Sequence, residues 1–169
     1  MRWIANLFRM DDEGWRRHAN PWSVYTGLAA IPMMILAVWS RAWIGWWSLL
    51  PIVGVMLWLF LNPHVFPPVP ASHGWAARGI HGERLWLESR GEDLPSSYRR
   101  VLRWPAIPGG AGGILLLWGL VELSPWPTSY GATLLILAQL WRIDRLGLLY
   151  ETIRHSEAAT AGSRQVPDE

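Results

Sequence analysis

The segment Asp11 to Gly27, DDEGWRRHANPWSVYTG, gathers Asp11, Asp12, Glu13, Arg16, Arg17, His18 and Asn20 into ten positions, directly ahead of an apolar run. An imidazole flanked by guanidinium and amide groups can act as a general base or a phosphate clamp. The same residues also have ordinary anchoring work. Asn20 followed by Pro21 suits an N-cap and a first helical position. Trp15, Trp22 and Tyr25 suit a membrane–water interface, and Arg16 and Arg17 suit phosphate headgroups. His18 is the residue that anchoring leaves unexplained.

Two further stretches carry candidate chemistry. In LNPHVFPP, Asn62 and Pro63 repeat the Asn20–Pro21 dipeptide. As punctuation this is a helix stop followed by a stiff exit. His64 set opposite His18 would make a histidine pair for a metal or haem, but no ligand-spacing motif accompanies it. No metal site and no cofactor is therefore assigned. In QLWRIDRLGLLYETIRH, a step of about 100° per residue puts Asp144, Leu148, Glu151 and His155 on one helical face. Such a stripe resembles metal ligands or an acid–base set. As a solvated helix extension it instead pairs Glu151 with His155 and Arg142 with Asp144. HExxH, GxSxG and Walker lysine motifs are absent, as is a DxxD metal pair.

Composition bounds the chemistry. The 169 residues suffice for one domain and contain no cysteine, which removes disulfides, thiolate catalysis and thiolate-ligated metals. All 15 basic side chains are arginine, so lysine Schiff-base chemistry is excluded. A net charge of +2 gives no case for nucleic acid. The opening MRWIANLFRMDDEGW brings acids early and shows no small-residue cleavage site, so no signal peptide is expected.

The elements that must position these residues are membrane helices. Half the chain is hydrophobic, 14 residues are tryptophan, and the apolar residues cluster in four blocks. The blocks run over 24–40, 44–61, 107–123 and 128–146, each near the roughly 20 residues needed to cross a hydrocarbon core. In lipid the backbone must satisfy its own hydrogen bonds, which requires helices. Pro32 and Pro51 are expected to kink the first two. Tight turns at Ser40–Trp43 and Ser124–Pro127 pair the blocks. The expected fold is thus an all-α membrane protein of four transmembrane helices in two hairpins. Fourteen of the 15 arginines fall on one side of this arrangement, Arg41 being the exception. By the positive-inside rule that side is cytoplasmic, with both termini and the central segment. The expected location is the cytoplasmic membrane, multi-pass.

The central segment, 63–105, opens proline-rich and continues AARGIHGERLWLESR. There Ile80, Leu85, Trp86 and Leu87 among charges predict a short amphipathic helix on the interface. RWIANLFRM at the N-terminus fits the same role. Residues 156–169 lack apolar periodicity and are expected to be a disordered tail after a single unit over 1–155. Gly109 and Gly113, four apart, predict close helix packing, within the chain or between copies, and Gln139 predicts an interhelical hydrogen bond. Glu122, near the far end of its span, is cheaply placed and gets no proton path.

WRRHANPWSVYT, WSRAWIGWWSLLP, LNPHVFPP, HGERLWL and LWRIDRLGLLYE together resemble a family of small bacterial and archaeal membrane proteins of unknown function, over about Trp15 to Glu151. The resemblance implies a membrane topology and brings no activity. It also implies arginine at the positions of Gly27 and, often, His64, which weakens any role for His64.

Topology brings Arg17, His18, Asn20, Asn62, Glu83, Arg84, Asp144, Arg145 and Glu151 from four segments to one membrane face. A scaffold needs arginines at its rim, but not histidine, asparagine and carboxylates beside them. The leading expectation is an integral membrane protein with a polar pocket at the cytoplasmic face for a lipid or small ligand. A non-catalytic scaffold or assembly protein, with a homo-oligomer as partner, is the alternative. A membrane enzyme acting on lipid is a third reading. An oligomeric channel or transporter is disfavoured by spans almost free of charge.

Overall fold

The structure is a computed structural model that describes residues 11–89 and 96–163. RWIANLFRM lies outside the described residues, as do 164–169. Within them every regular element is helical: α1 Asp12–His18, α2 Pro21–Trp39, α3 Arg41–Ile44, α4 Leu49–Val65, α5 Trp75–Glu88, α6 Ser96–Arg103, α7 Ala106–Glu122 and α8 Pro125–Ser163, with 3-10 turns at Gly45–Ser48 and Ala71–His73.

The opening polar stretch is first a capped helix. Asp11 Oδ1 accepts from the Gly14 N–H at 2.7 Å, Asp12 and Glu13 occupy the first turn of α1, and Arg16, Arg17 and His18 the last. That charge order matches the helix dipole. Asn20 caps α2 by accepting from the Trp22 N–H at 3.0 Å, with Pro21 at the first position.

Two helical stretches, Pro21–Val65 and Tyr98–Glu122, are long and apolar enough to cross a membrane. Only 11% and 17% of their most apolar windows is buried within the protein. Their large side chains point outward instead, among them Leu36, Leu50, Ile114 and Leu117, each more than 60% exposed. The first stretch is interrupted after Ile44 by Gly45 at φ +56°, a left-handed conformation that glycine adopts without steric cost. The connection is therefore not the tight turn expected at Ser40–Trp43 but a short helix and a 3-10 turn reaching Ser48. The start of α2 meets the end of α4, where Ser23 and Asn62 are hydrogen-bonded.

Helices α7 and α8 lie against each other through small residues. A Cβ on Gly112 would come within 2.9 Å of the Gly131 carbonyl oxygen, and one on Gly119 within 2.8 Å of Thr128 Cα. Close packing thus falls on Gly112, Gly119 and Gly131. Gly109 makes only ordinary contact with Ala138 and Gly113 faces open space, so this pair does not mediate the close packing within the chain. The partner helix, not the spacing alone, selects the face. Leu123 ends α7 in the left-handed region (φ 50°), and Arg41 Nη2 caps the same end on the Leu120 carbonyl at 2.6 Å and on that of Val121.

Helix α5 does form in the central segment, but its small-residue face is packed on α8. Gly79 and Gly82 bring the α5 backbone onto Ile143 and Leu146, and Ile80 and Ile143 share one buried cluster with Ala19, Val24, Val69, Ala76 and Ala77. Trp86 packs on Leu146 and Leu149 with Tyr98 and Leu102. Helix α8 stays helical to Ser163, past residue 156 where apolar periodicity ends.

Candidate functional site

The mouth of α2 and α4 holds a directional polar chain. His18 Nδ1 lies 3.0 Å from Ser23 Oγ. Ser23 donates to Asn62 Oδ1 at 2.5 Å, Asn62 Nδ2 donates to Thr26 Oγ1 at 2.7 Å, and Thr26 donates to the Trp22 carbonyl at 2.6 Å. With the Ser23 proton directed to Asn62, the His18 tautomer that completes the chain carries its proton on Nδ1 and donates to Ser23 Oγ. Ser23 and Asn62 are almost fully buried, at 0% and 2% exposure, and every hydroxyl in the chain both gives and receives. Helix α4 runs through Asn62 and Pro63 and stops at Val65, within LNPHVFPP, before the extended exit that begins at Phe66.

Around this chain the linker 66–70 is tied down. Asn20 Nδ2 donates to the Pro67 carbonyl at 3.1 Å, the Val69 N–H to the Arg16 carbonyl at 3.0 Å, and Arg17 to the His64 carbonyl at 3.4 Å. Arg17 also pairs with Glu13 along α1. Burial pushes the His18 imidazole below the ordinary histidine value; nearby Glu83 opposes this and His64 adds to it. His18 is therefore a neutral donor at pH 7, and its Nε2 has no hydrogen-bond partner among the described residues. The acid that acts on His18 is Glu83, not Asp144 or Glu151.

The remaining candidates sit between α5 and α8. Arg142 pairs with Glu83 at 2.7 Å, Arg78 with Glu151 at 3.0 Å, and Trp75 Nε1 donates to Asp144 Oδ1 at 3.2 Å. Arg145 reaches Asp144 at 3.2 Å, while its buried Nε is unpartnered. Arg84 joins α5 to α1 through Asp12 and pairs with Glu88 at 2.7 Å. The expected neighbours Glu151–His155 and Arg142–Asp144 are thus replaced by pairs that cross between helices, and His155 is exposed. Asp144 and Glu151 of the expected stripe are each engaged by α5. Among the described residues no three metal-ligating side chains converge.

The geometry separates the nine candidates into a mouth cluster, Arg17, His18, Asn20 and Asn62, and a clamp, Glu83, Arg84, Asp144, Arg145 and Glu151. Glu83 links the two through its field at His18. A model of a family of unknown function (DUF6653) matches residues 2–168. The chain belongs to that family. No curated protein and no solved structure matches it. The family match extends on both sides of the quoted motifs, and within it the geometry adds residues that sequence reasoning missed. Ser23 and Thr26 lay inside the opening stretch, one turn apart and facing Asn62, yet were hidden by its reading as a helix start. Trp75, Arg78 and Arg142 were visible only as isolated polar groups. Gly79 and Gly82, three apart in GIHG, were the signal that α5 would meet another helix at backbone distance.

Proposed function

We propose that this DUF6653 chain is a multi-pass membrane protein that holds a lipid or small ligand at its cytoplasmic face. Helices α2, α4 and α7 and the first half of α8 cross the bilayer as two hairpins, with both ends of the chain and the central segment on the arginine-rich side. The observation that carries the reading is the inverted surface: the most apolar windows are 11% and 17% buried, so their side chains need an apolar solvent. At 1.5 Å per residue, helices of 17 to 19 residues are about 26–28 Å long, close to the thickness of a hydrocarbon core. Trp43, Trp46 and Trp47, all more than 70% exposed, then form an aromatic belt at one end of the first hairpin, with Trp126 at the matching end of the second.

At the opposite end the mouth cluster and the clamp form one polar layer. The mutual pairing of Arg142 with Glu83 and of Arg78 with Glu151 favours a second reading, a non-catalytic scaffold, since groups engaged with one another are not poised for proton transfer. Both readings share the topology, and the topology has a clean test because the chain lacks cysteine. Single cysteines at Trp46 and Trp126 are expected to react with a membrane-impermeant maleimide in intact cells. Those at Pro70 and His155 should react only after lysis. Labelling of all four in intact cells, or the reversed pattern, refutes the arrangement.

A further inference from the structure

The layer described above uses most of its arginines in ion pairs. Arg99, Arg100 and Arg103 on α6 are different: none has an acidic partner among the described residues. Together with Trp104 and Ile107 they line one open cleft of about 390 Å³. Arg99 and Arg103 are one turn apart, Arg100 lies beside them, and Trp104 and Ile107 are 55% and 65% exposed. The apolar run of α7 begins immediately after. Three guanidinium groups with no carboxylate partner among the described residues therefore sit where an apolar helix starts.

A second cleft, of about 350 Å³, adjoins the first and shares Arg103 with it. Its lining is mostly apolar and includes Leu102, Ala106, Leu135 and Leu146. Gly109 and Gly110 form part of the wall, and a Cβ on Gly110 would meet nothing within 4 Å. The cleft is open there because side chains are missing. A charged compartment thus continues into an apolar one around a single arginine.

We infer that this double cleft is a binding site for one anionic phospholipid, its phosphate headgroup held by Arg99, Arg100 and Arg103 and an acyl chain laid in the groove beside Gly110. Guanidinium forks match phosphate oxygens in geometry and charge. Trp104 lines the charged compartment just ahead of the apolar run of α7, a place where an indole is favoured. The other arginines of the layer, Arg17, Arg78, Arg84, Arg142 and Arg145, already face carboxylates; Arg142 also lines the second cleft, with Gln139, but is paired with Glu83. The inference rests on the membrane reading above and names the lipid class and the place it binds.

Native mass spectrometry of the full chain in mild detergent tests it, with phosphatidylglycerol, phosphatidylcholine and inorganic phosphate as separate probes. Phosphatidylglycerol is expected to be retained over phosphatidylcholine. Each basic residue near an anionic headgroup strengthens binding about fivefold, so the triple variant Arg99→Gln, Arg100→Gln, Arg103→Gln should bind about a hundredfold more weakly. Arg154→Gln, altering an arginine far along α8, should bind as the parent does. Gly110→Leu, which fills the groove, should weaken phosphatidylglycerol and leave any phosphate binding unchanged. If the triple variant loses helicity, Arg100→Gln alone is expected to show the fivefold loss. Equal retention of both lipids, an unaffected triple variant, or phosphate bound as tightly as lipid overturns the inference. Cysteine labelling reads topology without lipid selectivity, so the site can fail while the membrane arrangement stands.

Discussion

Gly82→Ala gives the most direct test of how α5 is held on α8. A Cβ at Gly82 would overlap the Leu146 carbonyl oxygen and lie 2.6 Å from its carbon. Both atoms belong to the backbone of a helix, so no rotamer change relieves them. Ordinary contact begins at 3.4 Å and the oxygen lies closer than the carbon, so the two helices must part by more than about 0.8 Å, the difference between 3.4 Å and 2.6 Å. Such a displacement along the bonds carries Trp75–Asp144 from 3.2 Å past about 4.0 Å, beyond hydrogen-bond range, and stretches Glu83–Arg142 from 2.7 Å past about 3.5 Å, to a longer ion pair. Overpacking of this kind costs about 3 kcal/mol. Losing one interhelical hydrogen bond adds about 1 kcal/mol, and the better helix propensity of alanine returns about 1 kcal/mol. The net expectation is a loss of about 3 kcal/mol. Equilibrium unfolding in mixed detergent micelles, followed by tryptophan fluorescence and circular dichroism, measures it. Gly113→Ala is the reference, since its Cβ meets nothing within 4 Å and should leave stability unchanged or raise it by up to about 1 kcal/mol. A Gly82→Ala protein as stable as Gly113→Ala refutes the close-packed α5–α8 interface.

Two further outcomes follow from the mouth cluster. Asn62→Ala removes the acceptor of Ser23 and the donor to Thr26, leaving the Ser23 hydroxyl, at 0% exposure, with His18 as its one partner and its proton without an acceptor; a loss of about 2–3 kcal/mol is expected, whereas Thr26→Ala should cost about 1 kcal/mol. Similar values for the two variants in the same unfolding assay would contradict the order of the chain. For pH, His18 and His81 both have values lowered by burial from 6.5 in the unfolded chain, so the unfolded state binds more protons below that value. Stability is then fully present above pH 6.5 and falls as pH drops toward the folded-state values. Unfolding measured against pH should show this slope, and His18→Gln should flatten it; an equal slope in the variant would place the linkage elsewhere.

How much of this could be read from sequence varied with the range of the interaction. The capped start of α2 at Asn20–Pro21 depends on neighbours in the chain, and it formed as the dipeptide dictates. The Asn62–Pro63 dipeptide did not act alike: Pro63 lies inside α4, which ends two residues later at Val65, and Asn62 turns inward to Ser23. The identical pair of residues caps in one place and bridges in the other, and only the partner helix decides. The face of α8 was legible as a stripe, yet Glu151 found Arg78 and Asp144 found Trp75 because α5 lies there. Pairing within one helix can be counted from spacing. Pairing between helices needs a register that glycine positions hint at but do not number.

The two proposed hairpins face one problem and meet it with different chemistry. Lipid tails are as apolar as leucine, so burial of hydrocarbon between spans contributes little, and contacts must come from close backbone approach or hydrogen bonds. Helices α7 and α8 use approach: Gly112, Gly119 and Gly131 remove the side chains that would separate them. Helices α2 and α4 use hydrogen bonds, concentrated in Ser23, Thr26 and Asn62 near one end. A hairpin fastened at one end by a buried polar chain can tolerate loose packing along its length, which matches the small fraction of the Pro21–Val65 window that is buried. The fastened end is also the one that His18 joins to α1, and that α1 joins to α5 through Asp12 and Arg84.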